Sequence, residues 1–319
     1  DEYHIFNGVY FNFSIQVFEE KPYFVVVGGN FNEYMIDGHL ELFMATAIKI
    51  YDATPFIKRK KERYPVPPGL GPTDEPYPKL LVKKIKLLKR LQDEKLVCDT
   101  EGDKMEGYES FQNINAFSIS DSFTHAAVSL DKGGILLIYG FPNLLECSTK
   151  HMKMIYLPKI MNKEREAHIT NLDFSEILLK NEMKRVLYAT TSNSIYYYEW
   201  KLYNEKHSNA ESKIKLVELS QDGKGAYSGC VAVKGKSLLM GSSYDDFIAE
   251  FDNLEFGKTW FFDGKKTIVN YYKDYILFVI IGETESSFQI YDKKNNFFAF
   301  YEVGTRKVTG ICSDKDYLY

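Results

Sequence analysis

The chain has 319 residues, of which 45% are hydrophobic and 15% aromatic, and its formal net charge is -4. This composition supports a large core and excludes global disorder, while an acidic chain offers a poor surface for the many phosphates of a nucleic acid. The four cysteines lie far apart without C-x-x-C spacing and the six histidines are scattered, so we expect a reduced compartment, no structural zinc and no cofactor.

Short runs of β-branched and aromatic residues with a period of two begin near the start of the chain and predict half-buried strands. The first three runs are IQVFEE (15–20), YFVVVGG (23–29) and IKIYD (48–52). We interpret the pair Glu19 and Glu20 as a solvated turn. The glycine pair Gly28 and Gly29 is interpreted as a second turn between strands.

Four further groups of four strands follow the same pattern. They are INAFSIS (114–120), HAAVSL (125–130), ILLIY (135–139) and HMKMIYL (151–157); ITNLDF (169–174), RVLYATT (185–191), IYYYEW (195–200) and IKLVEL (214–219); SGCVAVK (228–234), SLLMGSS (237–243), FIAEFD (247–252) and TWFFD (259–263); and TIVNYY (267–272), YILFVII (275–281), FQIYD (288–292) and FFAFYEV (297–303). Apart from the first interval, the third strands recur at about 40 to 60 residues, the period of a four-stranded propeller blade.

A single four-stranded sheet buries both of its faces only when it stacks radially against other sheets. The sequence therefore predicts an all-β, WD-repeat-like β-propeller that forms a single domain over residues 1–319. Five blades are readable, the two chain ends resemble incomplete blades, and we expect seven blades in total. The chain starts at Asp1 and stops at Tyr319 within a strand-like sequence, so we expect it to be a fragment of a longer protein.

Third strands end in an aromatic residue and an aspartate at three places, Tyr51-Asp52, Phe251-Asp252 and Tyr291-Asp292. We expect the aromatic ring to pack against the neighbouring blade and the carboxylate to accept hydrogen bonds in the following turn. These endings resemble the Trp-Asp of WD repeats, but the Gly-His partner is missing. The predicted propeller is therefore degenerate.

The periodicity breaks at a basic, proline-rich insertion within residues 53–113. Residues 58–95 hold about 12 Lys and Arg against about 5 Asp and Glu, and the proline-rich stretch 64–78 predicts a mobile loop. The segment KLLVKKIKLLKRL (79–91) fits either a basic amphipathic helix that rests on anionic lipid or an outer strand with solvated lysines. The candidate lipid contacts are Lys58, Arg59, Lys60, Lys61, Arg63, Lys83, Lys84, Lys86, Lys89 and Arg90.

No nucleotide-binding, hydrolase, zinc-protease or kinase motif occurs in the sequence, and we assign no catalytic, cofactor or metal residue. The stretch EFGKTW (255–260) resembles one Asp-box of propeller glycosidases, but it begins with Glu255 and stands alone. The six arginines are not grouped as a sialidase requires, so a glycosidase remains a minor alternative. We interpret His125 and His168 as capping or packing residues.

The last third of the chain resembles the N-terminal propeller of the family of vacuolar protein sorting protein eleven, the class C core subunit shared by the HOPS and CORVET tethering complexes. The resemblance rests on FIAEFD (247–252), TWFFDGKK (259–266), TIVNYYKDYILFVII (267–281) and FQIYDKKNNFFAFYEV (288–303), followed by VTGIC and DYLY. Earlier strands fit the second and third blades of the family, whereas the basic insertion departs from its pattern.

This resemblance implies a non-catalytic scaffold in endosome-to-lysosome or vacuole trafficking. It implies other class C subunits as partners, indirect contact with SNARE or Rab machinery, and a cytoplasmic location peripheral to late endosome, lysosome or vacuole membranes. It also implies that the full protein continues into an α-solenoid and a RING-like zinc module, neither of which this chain contains. We keep a lipid-contacting module as an alternative and expect no nucleic-acid partner.

Overall fold

Strands dominate the structure of this chain, as the period of two predicts. The computed structural model describes residues 9–36, 39–54, 80–100, 107–111, 113–130, 134–162, 165–179, 182–191, 194–201, 214–219, 229–242, 246–281, 285–304 and 308. Within these ranges no helix has both the length and the apolar character needed to cross a membrane. The chain divides into two units, Asp1–Lys159 and Ile160–Tyr319.

The first unit contains two four-stranded antiparallel sheets and a three-stranded sheet between them in sequence. Strands β1 to β4 form blade 1, β8 to β11 form blade 2, and β5 lies between β6 and β7. Strand β1 contacts β8, so the first strands of the two blades are neighbours. The bounds are β1 (Val9–Phe18), β2 (Lys21–Ile36), β3 (His39–Asp52), β4 (Leu81–Lys86), β5 (Leu88–Arg90), β6 (Leu96–Val97), β7 (Tyr108–Ser110), β8 (Ala116–Ile119), β9 (His125–Ser129), β10 (Ile135–Tyr139) and β11 (Lys153–Tyr156).

The second unit opens with a two-stranded ladder, β12 and β13, and continues with three four-stranded blades. Blade 3 is β14 to β17, blade 4 is β18 to β21 and blade 5 is β22 to β25, and their first strands contact one another in that order. The bounds are β12 (Met161–Asn162), β13 (Arg165–Glu166), β14 (Ile169–Leu179), β15 (Glu182–Thr191), β16 (Ile195–Lys201), β17 (Lys215–Leu219), β18 (Gly229–Lys234), β19 (Ser237–Ser242), β20 (Phe247–Asp252), β21 (Glu255–Phe261), β22 (Lys265–Tyr272), β23 (Tyr275–Ile281), β24 (Ser286–Asp292) and β25 (Phe297–Gly304).

These sheets confirm the all-β, WD-repeat-like propeller and its five readable blades within the described residues. Blade 1 is complete because β4, which follows the insertion, pairs with β3. The small sheet β5 to β7 was not predicted. Seven blades in total and a single domain over residues 1–319 stay predictions.

The core of the first unit lies between blades 1 and 2. Val27, Ile48 and Ile85 occupy directly opposite positions on three strands of blade 1, and all three are completely buried. Val128 and Leu136 meet this cluster from blade 2. Burying one such side chain stabilises the fold by about 1.5–3 kcal/mol, which is why neighbouring blades stack.

In the second unit, successive side chains of one strand point to opposite faces of blade 4 and so pack against both neighbouring blades. Leu238 and Met240 of β19 pack into a cluster with Val186 of blade 3. Leu239 points the other way and packs with Phe278 of blade 5. Blade 4 therefore buries both of its faces, as a propeller blade must.

The interpretation of Gly28 and Gly29 as a turn was wrong. Both glycines lie inside β2, where Gly28 pairs with Tyr10 on one side and Ala47 on the other. A glycine adopts extended backbone as readily as a turn, so it does not by itself mark the end of a strand. The predicted turn at Glu19 and Glu20 is confirmed, because both are exposed between β1 and β2 with positive φ angles.

The described residues of the segment form the strands Leu81–Lys86 and Leu88–Arg90, so the amphipathic helix is wrong and the outer strand is confirmed, although Lys86 is buried and not solvated. Strand β4 pairs antiparallel with β3 through Ile85 opposite Ile48. Apolar residues four apart, such as Leu81 and Ile85, share one face of a strand as well as one face of a helix, so pairing with β3 decides between the two. The basic run and the proline-rich stretch of residues 58–78 lie outside the described residues.

The predicted role of the aromatic-aspartate endings is confirmed in most respects. The ring of Tyr291 lies 6.1 Å from that of Trp260 in blade 4, and Phe251 packs with residues of blade 3. The carboxylate of Asp52 accepts a hydrogen bond from the Thr54 amide at 2.8 Å. Asp252 differs, since its carboxylate pairs with the Lys236 ammonium at 3.2 Å.

The carboxylate of Asp292 holds the turn after β24. It accepts hydrogen bonds from the Asn295 side-chain amide and from the backbone amides of Asn295 and Lys294. These bonds, led by the one from the Asn295 side chain, favour the charged form and lower the pKa of Asp292 below its ordinary 3.8. A lowered pKa means that the carboxylate stabilises the fold above its unfolded pKa, and that this stability is lost as the pH falls through the folded pKa.

We expect Asp292→Ala to lower the thermal unfolding midpoint at neutral pH and to have a smaller effect at about pH 2, because the stability that the carboxylate adds is lost as the pH falls through its lowered folded pKa. Scanning calorimetry at both pH values measures the difference. The exposed Asp263 provides a matched control, because Asp263→Ala should change the midpoint little at either pH. An equal loss for Asp292→Ala at both pH values would contradict the assignment.

Candidate functional site

The ten predicted lipid contacts divide into two groups. Lys58, Arg59, Lys60, Lys61 and Arg63 lie outside the described residues, while Lys83, Lys84, Lys86, Lys89 and Arg90 lie on β4 and β5. Lys83 donates to the backbone carbonyl of Cys147 at 2.9 Å, and the buried Lys86 donates to Thr100 Oγ1 at 2.7 Å. These two ammonium groups are therefore engaged within the first unit.

The remaining three basic residues of this group lie nearer the solvent. Lys89 pairs with Glu94 at 3.0 Å and Arg90 with Asp93 at 3.3 Å, while Lys84 is exposed. The five residues thus do not form one continuous basic face of a helix. Lipid contact through them stays a prediction.

The residues considered for catalysis lie in structural positions. The stretch 255–260 that resembled an Asp-box lies within β21 (Glu255–Phe261), which is an outer strand instead of a turn. His125 is buried, stacks on Tyr139 at 5.7 Å and contacts Thr124 Oγ1 through Nδ1 at 2.8 Å, as a packing residue does. His168 is exposed. Within the described part of the chain, no group of three or more His, Cys, Asp or Glu could hold a metal ion.

The most distinctive polar cluster of the second unit lies between blades 4 and 5. We call it the blade seam, and it consists of Glu250, Lys258, Trp260, Tyr271, Tyr291 and Lys293. Glu250 and Lys258 are cross-strand neighbours on β20 and β21, and Trp260 lies two residues further along the same face. Blade 5 supplies the two tyrosines and Lys293, which follows β24.

The carboxylate of Glu250 joins the two blades. Its Oε1 accepts a hydrogen bond from the Tyr271 hydroxyl at 3.1 Å and forms an ion pair with Lys293 Nζ at 2.7 Å. The pKa of the Tyr271 hydroxyl is raised, first by burial and then by the charge of Glu250. The tyrosine therefore remains a neutral donor at physiological pH.

Ammonium groups surround the aromatic rings of the seam. Lys258 Nζ lies 5.3 Å and Lys293 Nζ 5.8 Å from the Trp260 ring centroid. Lys293 Nζ and Lys234 Nζ lie 5.5 Å and 5.9 Å from the ring centroid of Tyr271. Each contact is within the range of a cation–π interaction. The sequence analysis considered Lys258 and Trp260 only as part of the stretch that resembles an Asp-box, although the spacing Lys258-Thr259-Trp260 already places a cation and an indole on one face of a strand.

We expect Glu250→Gln to lower the free energy of unfolding by roughly 1–2 kcal/mol, because it leaves the partly buried Lys293 ammonium without its counter-charge. Urea denaturation of this variant, of Lys293→Met and of the double variant measures their coupling, which should be about 1 kcal/mol. The pair of Lys89 and the exposed Glu94 is the matched control. Its coupling should be much smaller because solvent screens this pair, and a value equal to that of Glu250 and Lys293 would refute the assignment of Glu250 as the contact that joins the two blades.

Comparison with protein families decides the classification of this chain. The family model described as PEP5/VPS11 N-terminal matches residues 74–319, well over half of the sequence. The chain belongs to the PEP5/VPS11 N-terminal family. The resemblance drawn from its sequence is thereby confirmed, and this family member is a β-propeller of a vacuolar protein sorting family.

Solved structures resemble this PEP5/VPS11 chain in fold. A chain of "COPII on membranes, outer coat vertex" is 11% identical with a TM-score of 0.51, and the match covers 97% of this chain and 70% of that one. "Structure of Dos1 propeller" is 10% identical with a TM-score of 0.52, covering 96% and 76%. "The structure of the COPII coat assembled on membranes" is 11% identical with a TM-score of 0.51, covering 97% and 39%. No curated protein sequence matches this member of the family.

Proposed function

We propose that this chain is the non-catalytic, protein-binding propeller of a HOPS- or CORVET-type tethering subunit. In this role it helps to bring late endosomal, lysosomal or vacuolar membranes together before SNARE-driven fusion. The match of the PEP5/VPS11 N-terminal family over residues 74–319 is the observation that carries the proposal. The partners would be the other class C subunits, with SNARE and Rab proteins contacted indirectly.

The propeller fold supports a scaffold role because it buries some apolar side chains between blades and leaves others exposed on its outer strands. Apolar side chains between the blades are buried, as in the clusters around Phe278 and Leu238. The outer strands leave large apolar side chains exposed, among them Phe261 of β21 and Phe297 of β25. Aromatic side chains, phenylalanine included, are enriched in protein interfaces relative to the rest of the surface.

Affinity purification of the full-length protein that contains this chain, followed by mass spectrometry, tests the proposal. Class C subunits should co-purify in near-stoichiometric amounts, and they should be lost when the chain is deleted. Purification without any class C subunit would refute the tethering role. Hydrolysis of a sialoside or a similar glycoside by the purified chain would instead revive the glycosidase alternative.

A second candidate function is contact with anionic lipid through the basic insertion. The exposed Lys84 on β4 and the density of Lys and Arg in residues 58–95 favour it. Flotation with phosphatidylserine-containing liposomes should then fall when residues 55–79 are deleted and Lys84→Glu is added. The exposed Lys215 of β17 gives the control, since Lys215→Glu should leave flotation unchanged, and unchanged flotation of the deletion would remove this function.

A further inference from the structure

The blade seam carries more positive charge than its own carboxylate neutralises. The ammonium groups of Lys258 and Lys293 in the seam, and that of the neighbouring Lys234, approach the rings of Trp260 and Tyr271. The Lys234 ammonium also donates to the backbone carbonyl of Lys273. Glu250 is the carboxylate that contacts this set, and it is bonded to Lys293. Like charges gathered on one surface repel one another, so the seam gains stability when a further negative charge arrives.

The seam also holds a hydrogen-bond donor that has no acceptor. Trp260 is 8% exposed, and its Nε1–H is buried without a partner among the described residues. A buried donor without an acceptor costs free energy that a correctly placed oxygen recovers. The unmet requirements of the seam are therefore a negative charge and a hydrogen-bond acceptor, both of which a carboxylate supplies.

Apolar surface continues from the charged part of the seam along β25. Phe298 lies directly opposite Tyr291, and Phe300 lies two residues further along the same face. Both side chains are about half exposed. The Phe298 ring stacks on Phe262 at 5.9 Å, and Tyr291 itself packs on Trp260. A ligand that reaches Lys258 and Trp260 would therefore extend over the two phenylalanine rings.

We propose that the blade seam binds a short acidic and hydrophobic peptide segment of a partner protein. A peptide carboxylate would lie against Lys258 and, after the side chains that cover the buried indole N–H have moved aside, would accept the Trp260 Nε1–H. An apolar side chain next to it would cover Phe298 and Phe300. Free phosphate or a lipid headgroup would satisfy the charge but would leave the phenylalanine surface in water. The inference rests on the proposed scaffold role of the propeller, but it does not depend on which complex the propeller joins.

The test uses the 319-residue chain and a short fluorescein-labelled peptide of alternating glutamate pairs and leucines. Fluorescence anisotropy should show saturable binding that weakens as salt rises, because screening reduces charge attraction. Lys258→Glu should weaken binding by about tenfold, since it reverses a charge next to the carboxylate. The exposed Lys265 of blade 5 is the matched control, and Lys265→Glu should bind as the wild type does.

A second variant tests the contribution of the indole N–H to binding separately from that of the aromatic ring. Trp260→Phe retains an aromatic surface for the lysines but removes the donor, so we expect about fivefold weaker binding. Circular dichroism and urea denaturation would verify that this variant is folded. The peptide with glutamine in place of glutamate should not bind the wild type measurably.

Several outcomes would overturn the inference. Equal binding of the glutamine peptide, or equal binding by Lys258→Glu and Lys265→Glu, would each refute a carboxylate at the seam. Displacement of the peptide by millimolar inorganic phosphate, or Lys258-dependent binding to phosphatidylserine vesicles without peptide binding, would assign the seam to phosphate chemistry. If the peptide fails to bind while class C subunits still co-purify, the inference fails and the proposed function stands. If the peptide binds but class C subunits do not co-purify, the inference stands and the proposed tethering function fails.

Discussion

Phe278→Ala should lower the free energy of unfolding by about 3–5 kcal/mol, the cost of removing a large aromatic side chain from a packed core. Phe278 is completely buried on β23 and its ring lies 4.6 Å from that of Phe262. The cluster around it includes Leu239 and Ile248 of blade 4, so the cavity opens where the two blades meet. The loss is large because the stacked sheets cannot collapse far enough to fill the space.

Urea denaturation followed by far-ultraviolet circular dichroism measures this loss, with comparable slopes for variant and wild type. Phe261→Ala is the matched control, because Phe261 lies on the outer strand of blade 4 and is 80% exposed. Its substitution should change the free energy of unfolding by less than about 0.5 kcal/mol. Similar losses for the two variants would show that Phe278 does not lie in a packed interface between blades.

Gly264→Ala should cost about 2–4 kcal/mol, since two separate penalties fall on one residue. Gly264 connects blades 4 and 5 with a φ of +97°, a conformation that residues with a side chain avoid. An added Cβ would also lie 2.5 Å from Ile280 Cγ2, and the branched side chain of Ile280 cannot turn away freely. The Gly264 amide donates to Asp246 at 2.9 Å, which fixes the backbone further.

Gly235→Ala isolates the backbone part of this penalty. Gly235 has a φ of +58° in the turn after β18, and no atom lies within 4 Å of the position of its Cβ. We expect a loss of about 1 kcal/mol from the backbone alone, measured by the same urea denaturation. If Gly264→Ala cost no more than Gly235→Ala, the close approach of the connection to Ile280 would be refuted.

Much of the fold is predictable from sequence because it is local. Strands such as β10, β20 and β24 follow from β-branched and aromatic residues at a spacing of two, bounded by turn residues. The family resemblance had the same basis, since it relied on the order of these strands. Local patterns give the wrong prediction where one residue type fits both a turn and a strand, as Gly28 does in the middle of β2.

Buried lysines mark a second limit of sequence reasoning. Lys266 is completely buried in β22 and its ammonium donates to the backbone carbonyl of Phe262. A lysine is expected in solvent, because burying its charge is costly without a partner. The partner carbonyl lies only four residues earlier, in the connection between two blades, so the contact itself is local, whereas no local pattern indicates that Lys266 is buried.

The amino-acid sequence alone determined that this chain forms short strands in groups of four, since both the period of two and the turns are properties of neighbouring residues. Only the tertiary structure decided which side chains of one blade contact side chains of the next blade. Glu250 of blade 4 meets Lys293 and Tyr271 of blade 5 only after the sheets have stacked. Such pairs depend on how two sheets pack against each other, and residues far apart in the chain carry no local pattern that predicts their contact.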